Sequence, residues 1–272
     1  MVQLELIEGQ LVRRYKRFLA DCHLADGDEV VAHCPNPGSM KTLIDGQPRA
    51  WLKFVDNPKR KLQWTLTLLE VGEGAQALVD TSLPNSIVAD GILLGQVPRL
   101  GEFSYLRREV AIGQGTRLDM VLGEIEDPDE ETGDTFIEVK NVTMRSAHFD
   151  DRADFPDSVT ARGKKHLEVL AGLASSGRRA VLFLLLGRTD AKRVGFAHEI
   201  DPAYCQALQQ AVDQAPALHC RTGLRRKRRT GGRLLHQHRR RHQGDRRCRL
   251  GRWRIARPVR RLRGLRLVAR RR

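Results

Sequence analysis

The run Val181-Leu182-Phe183-Leu184-Leu185-Leu186 is apolar without a break. A strand with no polar alternation has no face for water, so this one reads as buried inside a sheet. Its surroundings fit that reading. Ser86 precedes an apolar-periodic stretch over residues 87–94 that reads as a helix ended by Gly95. Strands follow at 106–112, 117–122 and 135–142. Asp157-Ser158 opens a long helix through Ala174, and Ser-Ser-Gly at 175–177 closes it. After the buried strand at 179–186, Pro202 starts a last helix through Val212. The order α-β-β-β-α-β predicts a mixed α/β domain over residues 85–213.

Upstream the pattern changes. Short alternating runs at 11–19, 29–34, 49–55, 61–71 and 77–81 are separated by Gly, Pro, Asn and Asp, and read as strands. Five short strands in so short a segment suit an OB-type β-barrel over residues 1–84, a scaffold that binds oligonucleotides across its strands. The expected class is therefore α+β: a barrel followed by an α/β domain.

The formal net charge of +15 suggests a nucleic-acid binder, but it is unevenly placed. Residues 216–272 hold 23 of the 48 Lys and Arg and a single acid, Asp245, so the first 215 residues carry more acids than bases. The basic excess therefore says nothing about the folded body. Residues 214–272 form an Arg-rich tail with no sustained period, expected to be disordered. It reads as a basic arm for nucleic acid or as the frame-shifted translation of a GC-rich gene. The second is preferred, because the change near Gln214–Pro216 interrupts a domain that lacks its final strands, and intact mass would decide.

No run of eighteen apolar residues predicts a transmembrane helix. The N-terminus, Met1-Val2-Gln3-Leu4-Glu5-Leu6, lacks a secretory pattern, and a cytoplasmic protein is expected. The five cysteines (Cys22, Cys34, Cys205, Cys220 and Cys248) form no CxxC pair and read as reduced thiols, with Cys22 and Cys34 buried. No Gly-rich phosphate loop, cofactor fingerprint or helix-turn-helix reader is present.

The chemistry concentrates in two segments. Along Phe136-Ile137-Glu138-Val139-Lys140, Ile137 and Val139 point one way, and Glu138 and Lys140 the other. A neighbouring strand carrying Asp119 can bring a second carboxylate beside Glu138. Asp119, Glu138 and the backbone carbonyl of Val139 suit Mg²⁺ or Mn²⁺ that keeps several waters. Lys140 can position a water or stabilise charge on a phosphate. Asp119, Glu138 and Lys140 are thus the candidate catalytic set, in the D…ExK arrangement of a wide nuclease superfamily. On the following helix, Arg162, Lys164 and His166 are candidate phosphate contacts, and Lys165 is left to solvent. In the barrel, Arg13, Arg14, Lys16, Arg17, Lys59, Arg60 and Lys61 are candidate backbone contacts. Tyr15, Trp51 and Trp64 are stacking platforms or core. His33-Cys34-Pro35-Asn36 reads as a turn with a buried cysteine rather than a thiol nucleophile.

Several segments together resemble the sugar fermentation stimulation protein family. They include Glu8-Gly9 with Arg13-Arg14-Tyr15-Lys16-Arg17-Phe18, His33-Cys34-Pro35-Asn36-Pro37-Gly38-Ser39-Met40, and Asp56-Asn57-Pro58-Lys59-Arg60-Lys61. Thr81-Ser82-Leu83-Pro84-Asn85, Arg117-Leu118-Asp119, Glu138-Val139-Lys140-Asn141-Val142-Thr143, and Phe155-Pro156-Asp157 leading to Thr160-Ala161-Arg162-Gly163 complete the set. The resemblance implies an OB-type domain followed by a PD-(D/E)xK nuclease-like domain, and DNA binding with a regulatory part in sugar (maltose) metabolism of bacteria. It places Asp119, Glu138 and Lys140 at the nuclease-type positions. Pro37 stands where the family usually has threonine, and the family's last strands are replaced by the tail. The function expected is largely non-specific DNA binding through backbone contacts, the alternative being a Mg²⁺- or Mn²⁺-dependent endonuclease. The sequence leaves the oligomeric state open, a homodimer included.

Overall fold

The first strand, β1 (Gln3–Tyr15), is long enough to serve two neighbours. Its segment Ile7–Gln10 pairs antiparallel with β4 (Arg49–Phe54), and Gly9–Tyr15 pairs antiparallel with β2 (Leu19–Leu24). The exchange of partners happens at Gly9, where a Cβ would lie 2.4 Å from the carbonyl oxygen of His23, so only glycine permits this approach. With β3 (Glu29–His33) and β5 (Trp64–Glu70), the pairings run β1-β2-β3-β5-β4 and return to β1, a closed barrel circuit. β6 (Gln76–Leu78) pairs with β5. The structure, a computed structural model, describes residues 3–113, 115–215, 217–222 and 266–269.

The run 11–19 predicts one continuous strand, whereas the chain turns back within it. Lys16 (φ 46°) and Arg17 (φ 66°) are both left-handed and form the turn between β1 and β2. A left-handed turn normally announces itself by Gly, Asn or Asp. Here two basic residues take it, and the turn carries no compositional sign.

The α/β domain begins at α1 (Pro84–Leu93), with Pro84 in its first turn, where proline's missing N–H costs nothing. Three antiparallel strands follow: β7 (Tyr105–Ile112), β8 (Thr116–Gly123) and β9 (Thr135–Val142). A small sheet holds β10 (Met144–Arg145), β11 (Arg152–Phe155) and β13 (Arg193–Phe196), around α2 (Ala161–Ser175) and β12 (Arg179–Leu186) in the chain. Then come α3 (Pro202–Gln214) and β14 (Leu218–Thr222). The five-stranded sheet has the order β14-β12-β9-β8-β7, with β9, β12 and β14 mutually parallel.

Both faces of this sheet are covered, which accounts for the unbroken apolar run in β12. Leu182 and Leu184 pack with Phe136 and Val142 against α2 and α3. Val181, Phe183 and Leu185 pack with Ile137 and Val139 against α1 and against Leu4, Leu6, Leu68 and Leu78 of the barrel. Barrel and sheet therefore share one apolar layer, with α1 inside it.

Two differences from expectation follow from local chemistry. Helix α2 starts at Ala161 rather than at Asp157, because the Thr160 hydroxyl accepts the Gly163 N–H at 3.0 Å and caps it. Asp201 accepts the N–H of Tyr204 at 2.9 Å and of Thr160 at 2.8 Å, tying both helix starts together. The α/β sheet also takes β14 from the stretch assigned to the tail, so one strand does follow the last helix. Arg266–Ala269 (β15) runs parallel to Gln3–Leu6. The disorder and frame-shift expectations for 223–265 and 270–272 lie outside the described residues. No helix among the described residues is long and apolar enough to cross a membrane.

Candidate metal centre

β8 and β9 pair only from Met120 and Ile137 to Leu122 and Thr135. Beyond that point, the Asp119 carboxylate stands in for the ladder: its Oδ2 accepts the Val139 N–H at 2.6 Å. Its Oδ1 accepts from Asn85 Nδ2 at 2.7 Å, and the same amide donates to Glu109 Oε1 at 3.2 Å. Glu109 is an exposed carboxylate on β7 with φ of 55°, a conformation that non-glycine residues rarely adopt.

Glu138 and Lys140 share the β9 face toward α2, as strand alternation requires. Glu138 is 2 % exposed. Its Oε1 accepts from Lys140 Nζ at 2.5 Å and also bonds His166 Nδ1. Its Oε2 is buried with no hydrogen-bond partner among the described residues. A buried carboxylate oxygen left in this state is costly unless something meets it. A hard cation beside a second carboxylate is what such an oxygen suits, so the residues present fit Mg²⁺ or Mn²⁺. Among the described residues no three His, Cys, Asp or Glu form a metal-holding group. A cation held here would therefore rest on two carboxylates, a number that suits Mg²⁺ keeping several waters.

The electrostatics of the two acids diverge. Burial and then the neighbouring Glu138 push the Asp119 carboxyl up to about 6, against the bonds from Val139 and Asn85 and the charge of Lys140. Burial also pushes Glu138 up, but the His166 bond and the charge and bond of Lys140 outweigh it and hold Glu138 below the usual range. Glu138 is thus the more readily ionised of the two acids, and Asp119 the one that keeps its proton to higher pH.

Beside the centre lies an open cleft of about 530 Å³ between the β7–β8 turn and α2. Arg117, Arg162 and Lys165 line it, with His166. Of the expected phosphate contacts on α2, Arg162 is there. His166 is buried at 5 % exposure against Glu138 and forms the inner wall of the cleft rather than an exposed phosphate contact. Lys164 is exposed but does not line the cleft, whereas Lys165, which the helical pattern assigned to solvent, does. Asn85, Glu109 and Arg117 also stand at the site, outside the expected set. Asn85 and Arg117 stand inside segments that carried the family resemblance; Glu109 carried no signal.

The barrel's basic residues are dispersed. Arg14 Nη2 donates to the carbonyls of Asn36 (2.8 Å) and Gly38 (3.1 Å), so it braces the 36–38 turn instead of facing solvent. Arg13 pairs with Asp21 at 2.6 Å and covers the Tyr15 ring at 4.8 Å. Arg60 donates to Thr65 Oγ1 at 3.0 Å. Lys16, Arg17, Lys59 and Lys61 are exposed. Trp51 packs against the shared apolar layer, and Trp64 against the barrel core beside exposed Phe54, with ring centroids 5.0 Å apart. Cys22 and Cys34 are buried free thiols, as expected.

Comparison with known proteins agrees with both halves. A family model for the sugar fermentation stimulation protein N-terminal OB domain matches residues 12–79, and one for the RE domain of the same protein matches residues 82–224. The chain is 44 % identical over 210 residues to a sugar fermentation stimulation protein homolog of Dinoroseobacter shibae, covering 77 % of this chain and 83 % of that protein. The homolog from Alcanivorax borkumensis is 46 % identical over 208 residues, covering 75 % and 84 %. A solved structure described as Pyrococcus furiosus SfsA in complex with Ca²⁺ shares the fold, with a TM-score of 0.69 at 22 % identity, over 80 % of this chain and 87 % of that one. A closed barrel and an α/β sheet joined through a common core, matched along their length by these relatives, make this chain a member of the sugar fermentation stimulation protein family.

Proposed function

We propose that the chain binds DNA along its phosphate backbone, with little sequence preference, at a centre where Asp119, Glu138 and the Val139 carbonyl hold Mg²⁺ or Mn²⁺. The observation that carries this is the unpartnered, buried Oε2 of Glu138, whose bonded neighbour His166 lines a cleft together with Arg117, Arg162 and Lys165. Two carboxylates by themselves repel a phosphate; a divalent ion held by Asp119, Glu138 and the Val139 carbonyl would reverse that sign and supply Lewis-acid polarisation of a phosphate oxygen or a water. The Ca²⁺ in the description of the Pyrococcus furiosus relative supports a divalent ion in this fold. Arg117, Arg162 and Lys165 then supply phosphate contacts that carry no base information. A regulatory part in sugar use, suggested by the family's name, would act through this binding.

Hydrolysis is the second reading, favoured by Lys140. Its ammonium lies on the Glu138 face, 2.5 Å from Oε1, where it can stabilise charge developing on a phosphate.

Fluorescence anisotropy on labelled duplex and single strands, with Mn²⁺ or with EDTA over a salt series, tests the first reading. Affinity should fall steeply with salt and require the cation; salt-independent binding would overturn it. Nicking of plasmid DNA should be Mg²⁺- or Mn²⁺-dependent and absent in Asp119→Ala and Lys140→Ala. Cleavage untouched in Lys140→Ala would end the hydrolytic reading.

A further inference from the structure

We infer that His166 is the positioning residue of the cation centre: it holds Glu138 by one oxygen so that the other stays free for the ion. This rests on the cation reading above and deepens it. His166 sits on α2, whose start is capped by Thr160 and whose Leu167 and Leu170 are buried in the core under the sheet. The ring therefore has little freedom to move.

Its protonation pattern follows from its neighbours. Arg162 Nε lies 3.4 Å from His166 Nε2. A guanidinium only donates, so Nε2 is the acceptor and the ring proton resides on Nδ1. That proton is donated to Glu138 Oε1. The same oxygen takes the Lys140 ammonium, so both donors crowd onto Oε1, and Oε2 keeps its lone pairs. A carboxylate held by nothing would turn about its last torsion, which is soft. A donor fixed on a packed helix removes that freedom and sets which oxygen meets the ion. Partners of this kind are typically worth about 10- to 100-fold in metal affinity.

A histidine that merely fills the core predicts something different, and two side chains separate the cases. The amide nitrogen of asparagine reaches the place of Nδ1; that of glutamine reaches the place of Nε2. Mn²⁺ binding to the whole chain is measured by isothermal titration and by the Mn²⁺ electron paramagnetic resonance signal, with melting temperatures in EDTA as a check on folding. His166→Gln should weaken binding about 10- to 100-fold, and His166→Asn should keep most of it. Equal affinity in the two variants, whether high or low, overturns the positioning role. If the original chain binds no Mn²⁺, or Asp119→Ala binds it as tightly as the original, the cation centre itself fails and the inference falls with it. The Asp119→Ala arm thus tells the two failures apart.

Discussion

Replacing Asp119 by asparagine separates the cost of the centre from its use. The carboxyl is pushed up to about 6 in the fold, chiefly by burial and then by Glu138, against 3.8 in an unfolded chain. The unfolded chain gives up this proton first, so stability falls as pH rises from about 4 to about 6 and stays lowered above that. At about 1.4 kcal/mol per pKa unit, ionising Asp119 costs the metal-free fold at most about 3 kcal/mol at pH 8. Partial exposure of the group reduces this to about 1 to 2 kcal/mol. Asparagine retains an oxygen for the Val139 N–H, and the Asn85 amide can turn to accept from it, giving up only its exposed 3.2 Å bond to Glu109. Asp119→Asn in EDTA should therefore be more stable than the original by about 1 to 2 kcal/mol at pH 8, and by less than about 0.5 kcal/mol at pH 4. Urea titrations of both chains across this range give the difference directly. A variant less stable by the same amount at every pH would refute the reasoning, because the hydrogen bonds would then outweigh the charge. Adding Mn²⁺ should raise the stability of the original chain only.

Glu138→Gln should behave in the opposite sense. The folded Glu138 is held below its ordinary value, so its stabilisation is present above the unfolded pKa and lost as pH falls through the folded one. The variant also strands the Lys140 ammonium, and denaturation at pH 7 should show a loss of about 3 kcal/mol. Single changes Arg117→Ala, Arg162→Ala and Lys165→Ala should each lower the slope of log affinity for DNA against log salt by about 1. An unchanged slope would remove that residue from the interface. Thr160→Ala, which uncaps α2, should cost about 1 kcal/mol in a urea titration.

The long apolar and alternating runs of the α/β domain could be read directly, because a sheet covered on both faces writes its burial into consecutive residues. The same alternation put Glu138 and Lys140 on one face and Ile137 and Val139 on the other, as found. The turn at Lys16–Arg17 could not be read, since its left-handed backbone is taken by residues that do not advertise it. Strands β11 and β13 carry no signal, because four residues containing charged side chains, as in Arg152–Phe155, make no period. In the centre, residue types named the carboxylates but not their supports. His166 and Lys165 are adjacent on one helix and both reach the cleft, but only His166 also bonds Glu138, a distinction set by how α2 packs on the sheet. Asn85 comes from a helix on the far side of the sheet, a distance that no local pattern encodes.

Leu4 and Leu6 of the first strand lie in one layer with Ile137 and Val139, the residues on either side of Glu138. The two regions that family models separate are therefore not portable cassettes. Cutting the chain between them would leave each product with an open apolar wound, and neither should survive as a soluble fragment. A chimaera taking its barrel from a distant relative would lay an ill-fitting bed beneath β9 and tilt the glutamate without altering any residue of the centre. A change at Leu4 or Leu6 should therefore be felt at Glu138 as much as in the barrel, through Ile137 and Val139.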